Sequence, residues 1–117
     1  MIRQNYQKGE ILNVNLGVAV KEVKGHEQAY ERPCVVVKSF NNLELVVIVP
    51  CSKTEPKYSL YTIVKLLKGS GGLDLDSFAL CHQIRTISFD RITSNIGKLD
   101  TKDILKIHSV LIDTLEL

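Results

Sequence analysis

Residues 9–16 read GEILNVNL, with apolar Ile11, Val14 and Leu16 set around polar Asn13 and Asn15. That spacing, entered through a glycine turn, predicts a half-buried strand. A charged stretch, GVAVKEVKGHEQAYER (17–32), follows. It is long for a loop without a task of its own, and is therefore the first place to look for function. CVVVKSF and LELVVIVP then flank Asn41-Asn42. These asparagines tolerate left-handed backbone geometry, so 34–50 are expected to form a tight hairpin of two β-branched core strands. Pro50 closes it, and the polar segment CSKTEPK forms a second loop before YSLYTIVKLL, whose β-branched and aromatic content predicts a fourth strand. After the flexible turn KGSGGLD, SFALCHQIRTI alternates as a fifth strand, with Phe78, Leu80, His82 and Ile84 on one side. Its polar exit is Gln83, Arg85 and Thr86. A turn around Asp90-Arg91 leads to ITSNIGKLD, a short sixth strand. Asp100 then N-caps the one long helix, with Asp103 three residues later and an apolar stripe of Ile104, Ile107, Leu111 and Leu115. Five or six strands and a helix predict a mainly β fold with α: a small, strongly bent antiparallel barrel sealed by a C-terminal helix, because closing a sheet removes its exposed edges.

Composition narrows the picture. A chain of 117 residues that is 44% hydrophobic suits a single domain over 1–117 with enough apolar content for a core. Fifteen Lys+Arg against 13 Asp+Glu leave a net charge of +2, too small to imply nucleic-acid binding alone, so any such site must be a local patch. The start MIRQNYQKGE has no apolar signal-like region, and the longest uncharged apolar run, 45–51, is far short of the ~20 residues of a membrane span. A cytoplasmic protein, neither exported nor membrane-spanning, is expected. Cys34, Cys51 and Cys81 each sit in or beside an apolar segment without CxxC spacing, which points to buried, reduced thiols. No set of His, Cys and carboxylates has metal-ligand spacing, and the 69–72 run lacks the Lys-Ser/Thr of a phosphate-binding loop.

Four segments, taken in order, carry a resemblance: GEI at 9–11, GHEQAYERPCVVV at 25–37, VPCS at 49–52 and QIRTI at 83–87. In sequence and separation they resemble the successive signatures of the MazF/PemK toxins across nearly the whole chain. The resemblance implies an SH3-like barrel, a homodimer, and sequence-selective, metal-independent cleavage of single-stranded RNA without a cofactor. It also implies inhibition by a cognate antitoxin.

RNA cleavage of this kind uses the strand's own 2′-hydroxyl against the adjacent phosphate, leaving a 2′,3′-cyclic phosphate and a 5′-hydroxyl. The enzyme must stabilise added negative charge, and a guanidinium offers a planar fork of donors that stays ionised. Arg32 occupies the family's catalytic arginine position, with Pro33 fixing the backbone beside it. Ser52 falls where the family carries Thr or Ser and could donate to a phosphate oxygen; its hydroxyl could also make a local turn, with Thr54 working instead. Glu27 matches an acidic position and could orient the arginine or accept the 2′-hydroxyl proton, although Glu22 and Glu31 are similar in kind. Gln28, Tyr30, Lys53, Thr54, Gln83 and Arg85 are the expected RNA contacts. Gln83 offers an amide able to read a base edge and Arg85 a phosphate partner, although alternation could equally set both outward for solubility alone or leave Arg85 to brace the loops; Tyr30 and Tyr58 offer rings that could stack bases. Packing is the expected job of Tyr61, and His82 and His108 are expected to be structural.

The chain departs from the family in its first loop, which is longer than usual and carries His26 where Ser is more usual. Two rival functions keep the same fold. One is a CcdB-like toxin that poisons DNA gyrase through its C-terminus, but that family's C-terminal tryptophan is missing from a chain with no Trp that ends TLEL. The other is a barrel that binds RNA or antitoxin without cutting.

Overall fold

The computed structural model describes residues 5–17, 31–57 and 60–117. They form strands β1 (Glu10–Asn15), β2 (Glu31–Phe40), β3 (Leu45–Ser52), β4 (Ile63–Leu66), β5 (Ser77–Leu80), β6 (Arg85–Ser88) and β7 (Ile92–Lys98), then helix α1 (Thr101–Leu115). Every pairing is antiparallel, and the strands run β4-β5-β3-β2-β1-β7 with β6 also against β3.

Side-chain alternation makes this sheet apolar on both faces. Ile11, Val35, Val49 and Cys51 point one way, into a cluster completed by β4, β5 and helix residues Ile107 and Leu111. Leu12, Val14, Cys34, Val36, Val46 and Ile48 point the other way, and pack with Tyr6, Ile87 and Phe89. The Tyr6 ring meets Phe89 edge-on at 4.8 Å. Register shifts between Val36 and Lys38 on β2, and at two places along β1–β7, introduce the irregularities that bend a strand and let one sheet wrap around a core.

The barrel is partly open: among the described residues, the end strands β4 and β7 are not hydrogen-bonded to each other. The turn at 70–72 bridges the gap by pressing its backbone against β7. A Cβ placed on Gly97 would collide with the Gly71 carbonyl oxygen, and one on Gly72, where φ is +89°, would come within 2.7 Å of the Ile96 carbonyl oxygen. Glycine is required at both positions for this approach.

Several sequence expectations are corrected. The single fifth strand is two, because Cys81–Gln83 form a 3₁₀ turn between β5 and β6. Cys81 N–H donates to the Thr62 carbonyl (3.0 Å), and across the turn the chain leaves β4 and continues along β3, from the Cys51–Ala79 pair to the Ile48–Arg85 pair. His82 therefore leaves the apolar side: it is exposed, and its Nδ1 shares a hydrogen bond with Thr62 Oγ1 (2.8 Å). The hairpin turn is a 3₁₀ turn at Asn41–Leu43, and its left-handed residue is Glu44 (φ 55°), not an asparagine. Tyr61 is 71% exposed instead of packed. The helix is capped as expected, Asp100 Oδ1 accepting from Asp103 N–H (2.9 Å), but its stripe runs through Ile104, Ile107, Val110 and Leu111 while Leu115 is exposed. The three cysteines are buried and free.

Candidate functional site

Two prolines shape the site. Pro33 and Pro50 lack a backbone N–H, and the β2–β3 ladder stops at the Cys34–Pro50 pair, beyond which β3 turns to β5 through Cys51 and Ser52. Where the strands part, a cleft of about 630 Å³ opens, lined by Arg32, Ser52, Lys53 and Thr54 among others. β2 begins at Glu31, so Arg32 stands within a strand that pairs Val14 of β1, and is held more firmly than a residue at a loop edge. Counting from the paired Cys34 and Pro50, alternation sets Arg32 and Ser52 on the same side of their strands.

Arg85 joins that side from β6, since it pairs Ile48, which shares a face with Pro50. The Cys34 thiol registers both cations. Burial pushes its pKa up to about 12, while the Arg32 and Arg85 guanidiniums pull the other way. Burial also pushes Cys81 up to about 11 and raises Cys51 further. Both guanidiniums thus lie close enough to Cys34 to oppose the effect of burial on its thiol.

The Ser52 hydroxyl is engaged in the local turn: Oγ accepts from Thr54 N–H (3.1 Å) and donates to the Thr54 carbonyl (3.2 Å). The accepted bond fixes the oxygen, and rotation of the O–H is enough to exchange the carbonyl for another acceptor. Lys53 Nζ lies 3.5 Å from Asp74 Oδ1, an exposed pair across the cleft.

Gln83 and Arg85 fall on different elements, the 3₁₀ turn and β6, and both are exposed outside the cleft lining. Glu27, Gln28 and Tyr30, together with His26 and Tyr58, lie outside the described residues.

The cleft also holds Glu31 and Pro33, both already noted from the sequence, and further residues that were not. Asn13, Asp74, Leu73 and Ile96 are lining residues that the sequence did not single out. Asn13 was read as an outward polar position. Its signal was its type, because asparagine is depleted in strands and here occupies one flanked on both sides.

A model of the PemK-like, MazF-like toxins of type II toxin–antitoxin systems matches residues 7–115. Among solved structures, a mycobacterial endoribonuclease in complex with its cognate antitoxin is similar at 19% identity and a TM-score of 0.73, covering 97% of each chain. A Mycobacterium tuberculosis MazF toxin is similar at 20% identity and a TM-score of 0.71, over 92% of this chain and 97% of that one. MazF from Deinococcus radiodurans is similar at 18% identity and a TM-score of 0.73, over 96% and 97%. At these identities the structural likeness speaks for the fold.

Proposed function

Because the chain belongs to the PemK-like, MazF-like family of type II toxins, we propose that it is an endoribonuclease that cuts single-stranded RNA, mRNA above all, by transphosphorylation. In this reaction the 2′-oxygen forms a bond to phosphorus as the bond from phosphorus to the 5′-oxygen breaks. The 2′-hydroxyl proton passes to a base and the leaving 5′-oxygen takes up a proton. The nucleophile comes from the substrate itself, so the reaction does not call for a metal-bound water.

The observation that carries the reading is the convergence of Arg32 and Ser52 on one cleft, with Arg85 on the same side of the sheet. Arg32 stabilises the charge that gathers on the phosphate oxygens, which is the largest effect such a site can supply. Ser52 turns its proton from the Thr54 carbonyl to a phosphate oxygen, Arg85 and Lys53 hold flanking phosphates, and Glu27 takes the 2′-hydroxyl proton.

The partners proposed are RNA, a second copy of the chain and a cognate antitoxin, the last supported by the solved neighbour that carries one. Among the described residues no helix is long and apolar enough to cross a membrane, and the reaction is proposed to take place in the cytoplasm. Incubating the protein with a long unstructured RNA in EDTA tests the activity. Discrete cuts ending in 2′,3′-cyclic phosphate and 5′-hydroxyl are expected, while no cuts from folded protein would count against it.

A further inference from the structure

Beside Arg32 and Ser52 the cleft has features that phosphate binding does not use. Its volume of about 630 Å³ is in the range of small-molecule sites, and its lining includes apolar Pro33, Leu73 and Ile96. Two acceptor-bearing side chains of the lining are held by hydrogen bonds to β7. Asn13 Nδ2 donates to Ser94 Oγ (2.9 Å), which turns the amide, and Thr93 Oγ1 donates to Glu31 Oε2 (2.7 Å), which holds the carboxylate. Among the described residues, Asn13 Oδ1 and Glu31 Oε1 have no hydrogen-bond partner. Asn13 and Glu31 stand on paired strands, at the Asn13–Pro33 and Asn15–Glu31 rungs, and both are tied to β7. Apolar lining residues together with two held acceptor groups suit a flat ring that carries an amino group.

We infer that this cleft is a nucleobase subsite next to the scissile phosphate, in which Asn13 and Glu31 select a base bearing an exocyclic amino group and disfavour uracil. The inference rests on the ribonuclease reading for the identity of its ligand. Cytosine presents its N4 amino group as a donor to these acceptors, where uracil presents a carbonyl oxygen that they repel. Loss of such a paired contact typically costs about tenfold or more in discrimination.

The probes are oligo(dC) and oligo(dU) of equal length, which lack the 2′-hydroxyl nucleophile and stay intact while binding is measured by fluorescence anisotropy. The protein is expected to bind oligo(dC) about tenfold more tightly than oligo(dU). Asn13→Ala and the isosteric Glu31→Gln should each narrow that gap by weakening oligo(dC) alone, whereas Arg32→Ala should weaken both probes alike. Equal binding of the two probes by the unaltered protein, binding of neither, or a gap that survives in both variants overturns the subsite. The ribonuclease reading fails separately: a protein that tells the probes apart but cuts no RNA keeps the subsite and loses the activity, and one that cuts without telling them apart does the reverse.

Discussion

At the scale of single residues, the chemistry depends on what a guanidinium can do that an ammonium cannot. Arg32→Lys keeps a positive charge but gives up the planar fork, so RNA binding should fall little while the rate constant for cleavage falls by about tenfold or more, measured in single-turnover assays. Ser52→Ala should cost less than loss of Arg32, because the hydroxyl exchanges one acceptor for another. The buried thiols give an independent check on the packing around Arg32. In the folded chain Cys34 and Cys81 are pushed up to about 12 and 11 from an ordinary 9.0, so the native state holds protons that the unfolded chain releases. Stability is then fully present below pH 9 and is lost as pH climbs from 9 toward 11–12; the urea midpoint should be lower at pH 10 than at pH 8. The burial of the cysteines was legible from their apolar neighbours, and Arg32 and Ser52, singled out by the family resemblance, line one cleft. Asn13 was not singled out, since alternation says which residues share a face and is silent on whether that face meets solvent or a cleft.

At the scale of elements, the cleft depends on a turn and a strand that meet backbone to backbone. Gly97→Ala would drive a methyl group into the Gly71 carbonyl, so it should destabilise the fold by about 2 kcal/mol, read as a lower urea midpoint, and should loosen the wall beside Leu73 and Ile96. Asp100→Ala removes the helix cap and should cost about 1 kcal/mol in the same measurement without altering cleavage, because α1 lies outside the cleft lining. The strands and helix were legible where a period ran unbroken, as in β2, β3 and α1. The break inside SFALCHQIRTI was not: Cys81–Gln83 contain neither glycine nor proline, and the turn takes up the extra residues that lie between the Cys51–Ala79 and Ile48–Arg85 pairs as the chain runs on along β3. Gln83 and Arg85 were consequently assigned to one strand when they stand on two elements.

At the scale of the whole molecule, one sheet buries apolar residues on both faces, and the ends of β2 and β3, freed from each other by Pro33 and Pro50, leave a cleft with Arg32 and Ser52 at its rim. Apolar patterning is enough to announce an antiparallel sheet with a covering helix. It does not give the strand order, nor the way the 70–72 turn bridges the open side of the barrel, because both depend on contacts between residues far apart in the chain. The central claim is that Arg32 stabilises the charge that develops on the phosphate. Single-turnover cleavage of one defined RNA by the unaltered protein and by Arg32→Ala, with circular dichroism and the urea midpoint confirming that both are folded, tests it most directly. A rate lower by roughly 10²-fold or more in a folded variant is the predicted result; an unchanged rate would contradict the assignment.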